Sequence, residues 1–218
     1  MIISHRYKFI FLKSRKTAGT STEAFLERYC VSPSKESTYE PQHTNNQQNN
    51  EFGVMGYRQK GKGSIAPHTY PSSIKQSVAK NYWDNYTKII NIRNPYDTAV
   101  SFYHWKAYRS NTTRQIDTGK FEQWLTQEGS NPVKSNLKFW QFKNIDPNKY
   151  IFLRYEHLQE DLNKTLIHLG MPNYNKSLPT YKTNLYDRAP YQKYYNNTSK
   201  QFIDRYFGEF MNRFGYTF

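Results

Sequence analysis

The sequence predicts an α/β fold with a central, mainly parallel β-sheet flanked by helices. Three short apolar runs, at residues 7–12, 88–92 and 150–154, are typical of buried strands. Helical periodicity or a helix-capping signal follows each run. Because buried strands that alternate with helices pack into mostly parallel sheets, this order indicates the α/β class.

The first strand, Tyr7–Leu12, leads through a polar turn into a helix that starts near Thr20. Ser21 and Thr22 are the residues expected to cap this helix, because a hydroxyl group can accept a hydrogen bond from an unpaired amide of the first turn.

The second strand, Lys88–Ile92, is followed by a helix in which Pro95 suits the first turn and Asn94 the cap. The third strand, Tyr150–Arg154, precedes a helix over Leu158–Leu169. Further helices are predicted at residues 71–80, 121–128, 137–142 and 199–214.

A chain of 218 residues is long enough for a continuous core, and we expect a single domain over residues 1–218. Aromatic residues make up 17% of the chain, which argues against disorder. Residues 32–50 are rich in Ser, Pro, Asn and Gln and are expected to form a mobile surface loop within this domain.

Basic residues outnumber acidic ones, with 31 Lys and Arg against 17 Asp and Glu and a formal net charge of +14. A positive field attracts polyanions such as nucleic acid, a phosphorylated nucleotide, an acidic glycan or an anionic membrane surface. It argues against a cationic ligand.

The sequence has one cysteine, Cys30, which excludes an intrachain disulfide and a thiolate metal cluster. The N-terminal segment is too charged for a signal peptide, and no run approaches the about 20 apolar residues of a membrane span. We therefore expect a cytoplasmic protein without stable membrane insertion.

The polar turn after the first strand, KSRKTAGTS, has the composition of an anion-binding segment. A helix N-terminus has unpaired N–H groups and a positive dipole end, Lys16 adds a charge, and Gly19 allows close approach of the backbone. Hydroxyl donors come from Thr17, Thr20 and Ser21. The Walker pattern of phosphate loops is absent, and an ordinary capped helix after a basic turn is the alternative.

The second motif follows the second strand, in the segment RNPYDTAVSFY. Ligands of open α/β sheets bind at the carboxyl ends of strands, which is where Arg93 stands. Its guanidinium suits bidentate phosphate binding, and Ser101 follows about two helical turns later. The alternative is an Arg93–Asp97 pair that fixes the turn while Ser101 is solvated.

Together the two motifs, K-T-A-G-T-S and R-N-P-x-D-x-x-x-S-x-Y, resemble those of the carbohydrate-type (Golgi-class) sulfotransferases and their bacterial relatives. The segments Ala66–Thr69, Arg154–Leu158 and Phe214–Phe218 extend the resemblance over nearly the whole chain. It implies a three-layer P-loop-like fold and transfer of a sulfuryl group from 3′-phosphoadenosine 5′-phosphosulfate (PAPS) to a hydroxyl acceptor. The basic charge and the 20 Tyr favour a glycan as that acceptor, but a lipid, a small metabolite or a protein tyrosine would fit the same chemistry.

The resemblance also implies which residues hold the nucleotide, with the first motif on the 5′-phosphosulfate and the second on the 3′-phosphate. The first group comprises Arg15, Lys16, Thr17, Ala18, Gly19, Thr20 and Ser21. The second group comprises Arg93 and Ser101. Apart from the resemblance, Arg188 in the Tyr-rich stretch 181–195 is expected to close over the nucleotide or to line the acceptor groove. Arg15 stands where the family often has Pro, and Thr98 where it often has Arg.

His68 is the predicted general base, because its position resembles that of the catalytic His of related sulfotransferases and imidazole titrates in a useful range. Lys16 is expected to stabilise charge on the departing oxygen. His104 and Glu156 are alternative bases, and no metal is expected because the H-E-x-x-H spacing is absent.

Three other functions remain open at this point. A P-loop kinase of small molecules would need a full Walker loop and an acidic Mg²⁺ ligand after a strand, which the sequence lacks. A nucleic-acid-binding module fits the charge and the aromatic content, although the basic residues are scattered and no nucleic-acid motif occurs. A sulfotransferase-like protein that binds PAPS without turnover would carry the same motifs.

Overall fold

The computed structural model describes residues 1–41, 48–55, 66, 68–112, 116–140, 146–181 and 188–218. The centre of the polar segment, 42–47, and residues 182–187 of the Tyr-rich stretch lie outside this part of the chain. The strands are β1 (Ile2–Ser4), β2 (Phe9–Leu12), β3 (Gln48–Asn50), β4 (Gly53–Met55), β5 (Thr87–Ile92) and β6 (Tyr150–Arg154). The helices are α1 (Gly19–Glu27), α2 (Pro33–Glu36), α3 (Pro71–Ser77), α4 (Lys80–Asn85), α5 (Pro95–Arg109), α6 (Thr118–Thr126), α7 (Ser130–Lys134), α8 (Leu137–Trp140), α9 (Leu158–His168) and α10 (Asn197–Phe214).

The chain divides into two compact units. The first comprises Met1–Ile92 and Phe142–Tyr181, and the second comprises Arg93–Gln141 and Lys182–Phe218. The organisation as a single domain stays a prediction, as does the mobility of residues 32–50, in which α2 and β3 lie.

The first unit contains the β-sheet, with strand order β3-β4-β1-β2-β5-β6. β5 pairs in parallel with β2 on one side, where Phe11 lies opposite Ile89, and with β6 on the other, where Ile89 lies opposite Ile151. β1 pairs antiparallel with β2 and with β4, and β3 pairs antiparallel with β4. The predicted strands form the parallel centre, β2-β5-β6, and the α/β class is confirmed.

The core of the first unit packs one face of this sheet against α1 and α9. The side chains on β2 and β5 that point to this face are wholly buried, because parallel strands need apolar residues that helices can cover. The cluster includes Phe9, Phe11 and Ile89 from the strands, Phe25 and Leu26 from α1, and Leu158, Leu162 and Leu166 from α9.

Cys30 belongs to the same cluster and has no exposed surface. Burial raises the pKa of its thiol, because the charged thiolate is disfavoured away from water. It is a free cysteine that packs as a small apolar residue, as its position near a helix end suggests.

The second unit is built from α5, α6, α7, α8 and α10 around aromatic side chains. The Tyr103 ring packs edge-on against Phe121 at 5.2 Å and tilted against Trp124 at 5.1 Å between ring centroids. Trp140 stacks on Phe210 at 4.5 Å. Tyr and Trp therefore contribute much of this core, as the aromatic composition suggests.

α10 has complete end signals. Asn196 and Ser199 form a reciprocal capping box at its start, and Gly215 ends it in the left-handed conformation. The predicted helix over 199–214 is confirmed, with a start two residues earlier.

Candidate active site

The turn between β2 and α1, in the first unit, has an unusual backbone. Lys16 and Ala18 both adopt left-handed conformations, with φ of 61° and 57°. Left-handed residues between right-handed ones direct successive N–H groups to one side, and such concave arrangements bind anions. Lys16 and Thr20 are half-buried, whereas Thr17 is fully buried.

The start of α1 differs from the predicted one. The helix begins at Gly19 with Ala18 as its N-cap, and no described side chain caps it, so the expected capping by Ser21 or Thr22 is wrong. The Ser21 hydroxyl accepts from the Tyr181 backbone N–H at 3.2 Å, and the Thr22 hydroxyl donates to the Ala18 carbonyl at 3.3 Å. Among the described residues, therefore, no side-chain cap competes with an anionic ligand for the positive end of the helix.

A buried asparagine in the sheet holds this turn in shape. Asn91 of β5 donates from Nδ2 to the Thr17 carbonyl and to the Thr22 hydroxyl, each at 2.7 Å. Ser14 Oγ donates to the Asn91 carbonyl at 2.5 Å and lies 2.9 Å from Thr17 Oγ1. Sequence analysis missed Asn91, although a polar residue inside an apolar strand signals a buried hydrogen-bonding task.

Gly19 is required by a neighbouring side chain. A Cβ atom at position 19 would lie 2.7 Å from Cγ of Lys13, which is closer than side-chain atoms approach. Lys13 cannot swing away easily, because it is buried and its Nζ contacts Glu23 Oε2 at 2.7 Å. The glycine therefore lets a buried ion pair cross the start of α1. The close approach of the backbone to a ligand at this position stays a prediction.

His68 contacts the beginning of the same turn. Its Nδ1 lies 3.0 Å from the backbone oxygen of Lys13, and since a carbonyl only accepts, Nδ1–H is the donor. The neutral ring then has its basic lone pair on Nε2. His68 adopts a left-handed backbone with φ of 60°.

The second unit begins at Arg93, the first residue of the second predicted motif. Asn94 caps α5 by accepting from the Tyr96 N–H at 2.9 Å, and Pro95 occupies the first turn, which confirms the predicted helix start. Arg93 donates from Nε and Nη2 to one oxygen of Asp97, at 2.8 and 2.6 Å. This is the ion pair that sequence analysis held as the alternative.

Asp97 also accepts a hydrogen bond from Arg188 on its second oxygen. Burial would raise the pKa of this carboxyl group, but the charge of Arg93 and the hydrogen bond and charge of Arg188 hold the pKa below its ordinary value. Sequence analysis missed this bridge, because Arg188 lies 91 positions from Asp97 and no local pattern connects them.

The remaining candidates occupy different surroundings. Ser101 is buried on α5, one helical turn after Asp97 and on the same face. His104 of the same helix is 3% exposed and its Nε2 lies 2.8 Å from the Tyr194 hydroxyl, inside the aromatic core of the second unit. Glu156 is exposed in the short turn after β6.

Within the described part of the chain, no three His, Cys, Asp or Glu side chains are grouped to hold a metal ion. None of the helices in that part is long and apolar enough to cross a membrane.

The chain was compared with models of protein families. The family model of the sulfotransferase domain matches residues 10–213, a range that contains the turn after β2, His68, Arg93, Ser101 and Arg188. A search of curated protein sequences gave no match.

Proposed function

Since the chain belongs to the sulfotransferase domain family and is therefore a PAPS-dependent sulfotransferase of P-loop-like fold, we propose that it sulfates a carbohydrate hydroxyl with His68 as the general base. The turn Arg15–Ser21 binds the 5′-phosphosulfate end of PAPS in this proposal. Arg93, Ser101 and Arg188 bind its 3′-phosphate.

The observation that carries the proposal is the backbone at the start of α1. Two left-handed residues, Lys16 and Ala18, precede a helix that no described side chain caps. Such a terminus stabilises an anion through its N–H groups and dipole, and Lys16 adds a full positive charge. These features fit the 5′ end of a phosphosulfate nucleotide.

The second group supports the proposal through charge and geometry. Arg93 and Arg188 share a carboxylate, so two guanidinium groups are held in one place. Arginine forks match phosphate oxygens in pairs. The Ser101 hydroxyl, one turn from Asp97 on α5, adds a donor of the kind that phosphate accepts.

PAPS supplies the sulfuryl group and departs as adenosine 3′,5′-bisphosphate. His68 Nε2 accepts the proton of the acceptor hydroxyl while the acceptor oxygen forms its bond to sulfur and the bridging S–O bond breaks. The Lys13 carbonyl keeps the ring in the tautomer that this task requires. Lys16 stabilises the negative charge that develops on the departing oxygen.

Titration calorimetry with adenosine 3′,5′-bisphosphate tests the binding residues. We expect micromolar affinity for the wild type, on the order of 8 kcal/mol, in the presence of a chelator. Lys16→Ala and Arg93→Ala should each weaken it by roughly tenfold or more, because each removes a charged hydrogen-bond donor.

Lys75→Ala and Arg109→Ala are matched controls, since each removes one exposed positive charge from the same unit as its counterpart. They should change the affinity by less than about twofold. Equal losses in all four variants would mean that net charge alone attracts the nucleotide. A requirement for Mg²⁺ would favour a kinase.

A further inference from the structure

One carboxylate joins the two arginines of the second unit. Asp97 accepts from Nε and Nη2 of Arg93 on Oδ2 and from Nη1 of Arg188 on Oδ1. The side chains of Arg93, Asp97 and Arg188 are 5%, 15% and 25% exposed, so the whole group is largely shielded from water. Arg93 lies two residues before α5 and Arg188 lies within the Tyr-rich stretch 181–195, so the bridge brings together distant parts of the chain.

The bridge determines how each guanidinium is oriented. Arg93 directs its Nε edge at Asp97, and a bidentate phosphate contact needs only one edge of the planar fork. Arginine side chains are long and lose rotamer freedom when they bind, so a partner that holds them beforehand lowers the entropic cost of binding. A carboxylate can do this without binding the phosphate itself, because it is negatively charged and only accepts hydrogen bonds.

We propose that Asp97 is the positioning residue of the 3′-phosphate site and that it orients Arg93 and Arg188 together without touching the ligand. The inference rests on the proposed function, in which these arginines bind the 3′-phosphate. Asp97 selects nucleotides with a 3′-phosphate, because its effect passes only through the groups that contact that phosphate.

The test compares two ligands that differ in that phosphate alone. Calorimetry measures the affinities of adenosine 3′,5′-bisphosphate and adenosine 5′-phosphate for the wild type and for Asp97→Asn. We expect Asp97→Asn to weaken the bisphosphate roughly tenfold and the 5′-phosphate less than twofold. Asp97→Glu keeps the charge and should recover at least part of the loss.

Asp117→Asn is the matched control. It makes the same chemical change in the same unit, at the exposed N-cap of α6, where Asn caps as well as Asp. Both ligands should bind this variant as they bind the wild type. If the change in net charge alone affected nucleotide affinity, Asp97→Asn and Asp117→Asn would change that affinity by the same factor.

Arg188→Ala provides a second route should Asp97→Asn fold poorly by circular dichroism. It should show the same ligand-selective loss, and the double variant Asp97→Asn, Arg188→Ala should lose less than the sum of the two, because both act through one group. Equal weakening of both ligands, or no weakening, overturns the positioning role. A wild type that binds neither nucleotide overturns the proposed function itself.

Discussion

Hydrogen-bond acceptors of the protein itself orient the two side chains to which the proposal gives the main roles, His68 and Arg93. The Lys13 carbonyl takes the Nδ1 proton of His68, and Asp97 takes the Nε edge of Arg93. Each of these contacts can be tested by substitution.

His68→Asn should slow sulfuryl transfer strongly while nucleotide affinity is kept. Asn tolerates the left-handed backbone at position 68, and its amide can still donate to the Lys13 carbonyl, but it has no basic nitrogen. General-base catalysis contributes about 10²- to 10⁴-fold, so we expect a rate loss of that size. Transfer of label from PAPS and calorimetry with adenosine 3′,5′-bisphosphate measure the two quantities.

His168→Ala is the control for this substitution, because His168 is exposed at the end of α9. It should leave both quantities unchanged. Retention of the wild-type transfer rate by His68→Asn would assign the base to another residue.

At the scale of elements, β2, the turn and α1 act as one structure whose shape depends on contacts outside it. The order of strand, turn and helix follows from hydrophobic periodicity and was predictable. The cap was not, because the N-cap of the helix that starts at Gly19 is Ala18 rather than Ser or Thr. Asn91 is recognisable as a polar residue in an apolar strand, but because it supports the turn from another strand, local sequence does not reveal which segment it holds.

Gly19→Ala should destabilise the protein, whereas Gly208→Ala should stabilise it. The new methyl group at position 19 meets Lys13 Cγ, and overpacking of this kind costs about 1–3 kcal/mol. At position 208, within α10, an added Cβ meets nothing within 4 Å, so the gain is the helix propensity of Ala, about 0.5–1 kcal/mol. Urea unfolding measures both free energies.

The two glycine variants should also differ in nucleotide affinity. Movement of Lys13 disturbs the turn, so Gly19→Ala should also weaken adenosine 3′,5′-bisphosphate, while Gly208→Ala should bind it normally. Wild-type stability and affinity in Gly19→Ala would show that Lys13 repacks without cost.

Other elements show where sequence patterns succeed and fail. β2, β5 and β6 were predictable as apolar runs, and α5, α9 and α10 from their caps and periodicity. β1, β3 and β4 have three residues each, too few for any period to emerge, and they are recognised only through their antiparallel partners. The Asp97–Arg188 contact likewise depends on tertiary packing.

For the whole molecule, the dominant property is a net charge of +14, contributed by basic residues along the entire chain. A field of this size concentrates anionic ligands around the protein and speeds their encounter, and salt screens it over about 10 Å at 0.1 M. A glycan with carboxylate or sulfate groups is the acceptor that gains most from such a field.

An oligosaccharide that contains uronic acids should be sulfated with a kcat/KM about tenfold above that of a neutral oligosaccharide of equal length at low salt. The advantage should shrink as the ionic strength rises to about 0.5 M, because screening acts on the charged acceptor. Label transfer from PAPS across a salt series measures both values. Equal rates for the two acceptors at low salt, or a preference for a tyrosine peptide, would contradict the proposed acceptor class.

The buried position of Cys30 has a practical consequence for following these ligands in solution. Maleimides and related reagents react with a thiolate. Cys30 is inaccessible to them, and burial raises the pKa of its thiol, so the thiolate form is disfavoured. The sequence contains no second cysteine. A fluorophore or spin label can therefore be attached to a cysteine introduced at a chosen surface position, with the native residue left in place.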